Sequence, residues 1–495
     1  MPTAQVCTRG RFPAFFLATP RGENKTFDFL LCGIRLLSLF MFYIVPNSMG
    51  REVRPMHNKQ QFRNSLSRTV SCGATAVTAI TIVFALTAFL TQAAQAQTYK
   101  VIYNFTGGAD GAMPLAGLTM DAAGNLYGTS ASGGAGYGTV FRLHYTSPDW
   151  TLSSLYTFQG GDDGSIPEAR VIMRPDGALY GTTAGGGAGC PQAGGCGTVF
   201  ELRVPANATF TRLGSWMETV LYRFANGSDG GYPDSGDLTF DQAGNIYGTT
   251  ALGGNIGING NCNSGCGTVY KLTPPGGSWT ETVLYAFTND NHDGTFPNAG
   301  VILDNSGNLY GTTIYGGADD EGTVFKLTSS NGGWAESILY NFTGGSDGSN
   351  PYTGLIFDQA GSLYGATIAR GSGNGGTVFE LTSLNGSWTF TLLTSLSGET
   401  GDGPDGSLIM DAAGNLYGTT YGDGAYGAGS VFRLSPSNGS WTYTSLHDFT
   451  AGSDGGYPQC SLILDANGNL YGTTGAGGTS SNCQGGCGVV FEITP

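Results

Sequence analysis

The chain has 495 residues, of which only 12% are charged, and it contains 84 glycines, 27 phenylalanines and 24 tyrosines. That balance excludes a disordered chain and fits an all-β protein with many tight turns. Ten of the 21 Lys/Arg but only three of the 36 Asp/Glu fall in the first 97 residues. The remainder carries 11 basic against 33 acidic residues, a surface that repels nucleic acid and anionic membranes and suits neutral or cationic ligands.

The N-terminal part reads as a leader. Ser67-Arg68 precedes an apolar run from Ala74 to Leu90, which is followed by Ala94-Gln-Ala96-Gln97. A basic flank, an apolar core and an Ala-x-Ala site are the parts of a secretory signal peptide, here residues 56–96 with cleavage after Ala96. An uncleaved signal anchor is the alternative, since 17 apolar residues nearly span a bilayer. A second apolar run lies at 29–46, interrupted by Arg35. Because a signal peptide belongs near the start of a chain, residues 1–55 read as an over-extended frame without a fold, with translation starting at Met56 or Met49. The product is then secreted, periplasmic or on the cell exterior, with no membrane association after cleavage.

From residue 97 onward one segment recurs seven times. It reads Asp241-Gln-Ala-Gly-Asn-Ile-Tyr-Gly-Thr-Thr250 in its third copy, and its tyrosines are Tyr127, Tyr180, Tyr247, Tyr310, Tyr364, Tyr417 and Tyr471. Such a period signals a repeat architecture. Within 236–287, four short β-branched and aromatic runs alternate with Gly, Pro, Asn and Ser, and nothing has helical period. Four antiparallel strands, a to d, in about 54 residues make one propeller blade. Thr98–Phe105 matches a d strand and Gly488–Pro495 a c strand, so the N-terminal strand completes the last blade. The predicted fold is all-β: a single domain over 97–495, a seven-bladed β-propeller of four-stranded antiparallel blades closed by the N-terminal strand. An open β-solenoid is the rival, but it has no reason to start on d and end on c. All six tryptophans (Trp150, Trp216, Trp279, Trp334, Trp388 and Trp441) open a d strand, and the junction without one is where the chain is cut. Packing between blades is preferred for them over sugar stacking.

The d–a connections share Gly-x-Asp-Gly-x-x-Pro, as in Gly108-Ala-Asp110-Gly-Ala-Met-Pro114, with further copies centred on Asp163, Asp229, Asp293, Asp347, Asp402 and Asp454. Seven carboxylates on one face read either as a cation-attracting ring or as a repeated Asx-turn, and sevenfold repetition favours the turn. Departures from the repeat carry more information. Asn289-Asp-Asn-His-Asp293-Gly partly matches a calcium loop, although Gly300 stands where the terminal Glu belongs. With Asp319, Asp320 and Glu321 of the same blade, Asp290 and Asp293 are candidate Ca²⁺ ligands, set against a solvated acidic patch. Glu168, Arg170 and Arg174 break the pattern of their blade's first strand and are candidate polar groups on the ligand face or channel, with a local surface salt bridge as the plainer reading. Seven cysteines follow residue 97. Six form close pairs in b–c loops, predicting disulfides Cys190–Cys196, Cys262–Cys266 and Cys483–Cys487, each worth roughly 2 kcal/mol by loop closure. Cys460 is left over. No catalytic residue is assigned: after residue 97 there are only His144, His292 and His447, and no Gly-x-Ser-x-Gly, His-Glu-x-x-His or phosphate loop.

The repeated Asp-x-x-Gly-Asn-Leu-Tyr-Gly-Thr-Thr, Gly-Thr-Val-Phe-x-Leu-Thr and Leu-Tyr-x-Phe-x-Gly-x-x-Asp-Gly-x-x-Pro segments closely resemble the GloVer tandem repeat over residues 98–495. That family comprises exported bacterial proteins with variable C-terminal anchors. The resemblance implies an extracytoplasmic bacterial repeat protein without an assigned activity. The chain stops at Pro495, at the end of a blade strand, where anchored members carry a tail. The first segment also looks like the repeats of NHL-type and two-component-sensor propellers, an analogy of fold alone. The expected function is a monomeric binding or scaffold module for an extracellular glycan or protein, with no cofactor unless Ca²⁺. The alternative is a cation-assisted hydrolase or lyase in the central channel.

Overall fold

The computed structural model describes residues 97–187, 190, 194–204, 216–255, 262–274, 278–290, 293–330, 332–397 and 403–494. The expected leader and the upstream segment lie outside the described residues, as do His292 and Asp402. Among the described residues no helix is long and apolar enough to cross a membrane.

Seven four-stranded antiparallel sheets follow one another along the chain as the blades of a β-propeller. Blade 3 is representative: strand a is Thr239–Phe240, b is Ile246–Thr250, c is Thr268–Thr273 and d is Thr280–Ala286. The seventh blade takes its d strand from the start of the described chain. Thr98–Asn104 pairs antiparallel with Val489–Thr494, from Thr98 opposite Thr494 to Asn104 opposite Val489. This closure is the one the repeat predicts, and it leaves no blade with an unfilled outer position.

The Leu-Tyr-Gly-Thr-Thr segment is strand b, and each residue in it has one job. The leucine is in the core, as Leu126 is at 0% exposure. The tyrosine hydroxyl reaches back to the a–b turn: Tyr127 donates to Asp121 Oδ2 at 3.0 Å, and Tyr310 to Asp304 Oδ2 at 3.0 Å. The other oxygen of that aspartate closes an Asx-turn by accepting the N–H groups two and four residues on, as Asp304 does from Ser306 and Asn308. The glycine makes room for a ring, since a Cβ on Gly311 would lie 2.6 Å from Phe325 Cζ. The first threonine ties one blade to the next. Thr129, Thr249, Thr312, Thr419 and Thr473 donate to the carbonyls of Ala169, Ala299, Thr353, Cys460 and Ala116. The second threonine bonds to the head of strand c, as Thr250 does to Thr268 at 2.8 Å.

The core is divided among the blade seams. Each of seven apolar clusters joins two neighbouring blades, and six contain the strand-b tyrosine of one blade and the tryptophan of the next: Tyr127 with Trp216, Tyr180 with Trp279, Tyr247 with Trp334, Tyr310 with Trp388, Tyr364 with Trp441, and Tyr471 with Trp150. At the closing seam Tyr417 shares its cluster with Tyr99, two residues after Gln97, which stands where a tryptophan stands elsewhere. The tryptophans are therefore inter-blade packing residues. Each fully buried strand-c phenylalanine, such as Phe141 or Phe200, adds about 2 kcal/mol of burial.

Candidate functional site

The d–a loop of each blade pairs with the b–c loop of the same blade. Gly294–Thr295 runs against Tyr315–Gly316, and single bridges join Ala112 to Ser132 and Ser349 to Ala369. Both loop sets thus occupy one face, which carries most of the residues singled out above.

The repeated aspartates of that face serve their own turns. Asp110 accepts from the Thr106 N–H at 2.8 Å and Tyr103 Oη at 3.1 Å. Asp347 accepts from the Thr343 N–H at 2.8 Å and Tyr340 Oη at 3.0 Å. Asp293, only 3% exposed, accepts from the Thr288 N–H at 2.8 Å, Thr288 Oγ1 at 3.1 Å, Tyr285 Oη at 3.2 Å and the Asp290 N–H at 3.4 Å. In the neighbouring loop Asp320 Oδ1 takes the Gly316 N–H at 2.9 Å, Glu321 faces Arg370 at 3.8 Å, and Asp319 is exposed. Among the described residues no three His, Cys, Asp or Glu side chains converge as a metal-binding set.

The three cysteine pairs are disulfides, Cys190–Cys196, Cys262–Cys266 and Cys483–Cys487, and Cys460 is a buried thiol. Their placement gives them a further role. The carbonyls of Cys196, Cys266 and Cys487 accept the N–H groups of Tyr232, Phe296 and Met113, each on the next blade. These acceptors precede a glycine whose missing side chain makes room for the next blade's proline. A Cβ on Gly197 would lie 2.5 Å from Pro233 Cδ.

The residue before that proline is in the left-handed region in six blades: Met113, Ile166, Tyr232, Phe296, Asn350 and Tyr457, all with φ between 55° and 57°. Blade 6 has Gly403 there. Non-glycine residues avoid this region, the β-branched Ile166 most of all. The conformation is held from both sides. The N–H donates to the preceding blade, and the carbonyl accepts from the blade's own b–c segment, as Phe296 does between Cys266 and Ile314. Strain sustained in this way marks positions worth testing for ligand contact. Met113 and Ile166 are each 43% exposed.

Two residues further along, after the proline, the blades disagree. The seven residues are Leu115, Glu168, Asp234, Asn298, Tyr352, Asp405 and Gln459. Strand a leads from here into a central cavity of about 390 Å³, lined by Leu115, Glu168, Tyr352, Asp405 and Gln459 from this ring and by Arg170, Asp237, Ser407 and Ser461 one turn of the pleat deeper. The far end is apolar, with Ile302, Ile356 and Ile409.

The polar groups are tightly linked across blades. Glu168 is hydrogen-bonded to Asp234, and burial together with that neighbouring carboxylate pushes its carboxyl up to about 9. Arg170 pairs with Asp237 at 2.6 Å, and its backbone N–H reaches the same carboxylate at 3.3 Å. Gln459 Nε2 donates to Asp405 Oδ2 at 2.7 Å. Tyr352 is raised by burial and by the charges of Asp405 and Asp234, an effect partly offset by the neighbouring polar side chains of Ser235 and Asn298. Asn298 is 6% exposed and its Nδ2 has no partner.

Glu168 and Arg170 thus line the channel. Arg174 does not: it occupies the position of the turn aspartate, and its guanidinium lies 5.1 Å from the Phe240 ring centroid on the next blade. Blade 2 has no such aspartate, and Tyr180 turns instead to Glu201 at 2.6 Å.

Six channel residues were missed by sequence reasoning: Asp234, Asp237, Asn298, Tyr352, Asp405 and Gln459. Aligning the seven copies on their proline would have exposed five of them, because the position after it differs in almost every blade. Asp237 carries a second signal. Blade 3 has one residue more between Pro233 and Leu238 than other blades have between proline and Leu or Val, and the extra residue meets Arg170. At this same junction the Thr182 hydroxyl, whose counterparts bond the next blade, has no partner.

Among solved structures the chain is similar to a protein of unknown function from Dyadobacter fermentans (12% identity, TM-score 0.40, covering 81% of this chain and 98% of that one). It is similar to an oxidoreductase (glucose dehydrogenase) from Thermus thermophilus (13%, 0.36, 80% and 100%) and to a hypothetical selenium-binding protein from Sulfolobus tokodaii (10%, 0.42, 66% and 76%). At these scores none of them carries a functional argument. No curated protein matches. The family model of the Gloeobacter/Verrucomicrobia repeat matches residues 82–302, 217–336 and 333–495, and its three matches run through the whole ring just described. The chain therefore belongs to the Gloeobacter/Verrucomicrobia repeat family.

Proposed function

We propose that the protein is an exported, monomeric binding module whose ligand, the end of a glycan, enters the central channel from the face bearing the d–a and b–c loops. One observation carries this reading: the ring after the proline is identical in place in every blade yet almost never identical in residue, while the framework around it repeats. A scaffold alone has no use for that variation. Carboxylates, carboxamides and a phenol suit the vicinal hydroxyls of a sugar, and a cavity of about 390 Å³ suits one or two sugar rings. Export is supported by the leader pattern and by the three disulfides. A glycan-array screen of the labelled protein, repeated with an Asp405→Asn/Gln459→Ala variant, tests the reading. Selective binding that the variant abolishes is expected; binding that the variant leaves untouched refutes a channel site.

A second reading, hydrolase or lyase chemistry in the same channel, is favoured by Glu168 alone. A carboxyl that keeps its proton near neutral pH beside an ionisable partner is equipped as a general acid. Incubating the array-selected glycan with the protein tests it: saturable binding without turnover ends this alternative.

A further inference from the structure

The charges facing the cavity do not balance. Arg170 is the one basic residue among the described residues that line it, and it is committed to Asp237. The carboxyls of Glu168 and Asp234 face each other at the mouth, and Asp405 and Asp234 both bear on the Tyr352 phenol. Blade 1 brings only Leu115, Ala116 and Gly117 to the cavity, blade 7 brings Gln459 and Ser461, and blade 4 brings the buried Asn298 up to Tyr352. Two carboxyls in contact cannot both be ionised, so the pair keeps one proton as its only compensating positive charge.

An ammonium group would serve this site better than a proton. It offers three donors from a single centre, enough for Glu168, Asp234 and a third acceptor. The remaining groups ask for hydroxyls. The Asn298 Nδ2–H is a buried donor without an acceptor, and Gln459 presents a carboxamide beside Asp405. Leaving such a donor unsatisfied is unfavourable, and a ligand oxygen would relieve it.

We infer that the ligand carries a protonated primary amine on a hydroxyl-rich ring, an amino sugar with its nitrogen unacylated, and that the ammonium sits between Glu168 and Asp234. The inference rests on the channel reading above and narrows its ligand class. Binding transfers no covalent bond. The Glu168–Asp234 pair loses its proton to solvent as the ammonium takes its place, so one proton is released for each amine bound.

Calorimetric titration of the whole protein with glucosamine, N-acetylglucosamine and glucose, at about pH 7 in two buffers of different ionisation enthalpy, tests the idea. Glucosamine is expected to bind at least tenfold more tightly than the other two, with release of close to one proton. Glu168→Gln is expected to abolish the proton release and Asp234→Asn to reduce the preference to about unity, while thermal melts check that both variants fold. Asp405→Asn, on the other side of the mouth, is expected to weaken all three sugars. Equal affinities for glucosamine and glucose, both lost in Asp405→Asn, overturn the amine while leaving the channel site standing. Binding insensitive to all three substitutions, or no binding of any of the three sugars, overturns both.

Discussion

Three glutamates on outer strands set an unusual dependence of stability on pH. Glu218, Glu281 and Glu336 occupy equivalent places in blades 2, 3 and 4, and each has a buried Oε1 without a partner. Burial, and then the aspartate of the d–a loop leading into the same blade, raises their carboxyls to about 7, about 7 and about 8. In Glu336 the aspartate is Asp293, and Tyr285 Oη, at 3.5 Å, partly offsets it. The native state therefore holds the proton more tightly than the unfolded chain, whose glutamate titrates near 4.5. It binds more protons across the interval from 4.5 to about 8, so this contribution is greatest at the acid end and is lost as pH rises through that interval. At about 1.4 kcal/mol per pH unit the full shift of Glu336 would be worth on the order of 4–5 kcal/mol, and solvent reaching this half-buried rim position reduces that to about 2 kcal/mol. Glu336→Gln keeps the shape of the protonated side chain and removes the charge. Denaturant unfolding of the two proteins at about pH 5 and about pH 8.5 is the assay. The stability of the variant relative to wild type should grow by about 2 kcal/mol between the two conditions, because every other titrating group is common to both proteins. A difference independent of pH, or a variant less stable at the alkaline end, refutes the reasoning.

Two further outcomes follow from the seams. Tyr270→Phe should stabilise the protein by about 1 kcal/mol in the same assay, because its fully buried hydroxyl has no partner and the other six blades have phenylalanine there. Cys262→Ser/Cys266→Ser should lower stability by about 2 kcal/mol, and should also speed amide exchange at Phe296, whose N–H bonds the Cys266 carbonyl across the seam; unaltered exchange there would show that the disulfide serves only its own loop.

The fold was legible because one residue pattern had to satisfy the same geometry seven times. A tyrosine six residues after a turn aspartate, a glycine under a phenylalanine and a threonine aimed at the next blade cannot drift without loosening a seam. The order of strands at the two ends was equally readable, since a leading d and a trailing c make one blade only if they meet. The disulfides were legible from spacing within loops that have no core. The channel was harder. Glu168 and Arg170 stood out as charges in an apolar stretch, but Tyr352, Asn298 and Gln459 are ordinary residue types whose meaning lies in register. Asp237 is visible only as an insertion. Arg174 shows the limit of reading departures as function: it replaced a turn aspartate and found an aromatic ring on the neighbouring blade.

The bond between Thr98–Asn104 and Val489–Thr494 has a consequence for the order of folding. Residues about 400 positions apart in sequence must meet before the seventh blade exists. Blades 1 to 6 can assemble from local hairpins in turn, yet the ring remains an arc until the last strand is made, and contacts of such long range form slowly. Throughout that interval Val489–Thr494 presents an open hydrogen-bonding edge that a second chain could fill as readily as the protein's own first strand. A rapidly diluted chain should therefore close on itself and a crowded one should exchange first strands, so that yield on refolding depends on concentration even though Val489–Thr494 is paired on both sides in the finished ring.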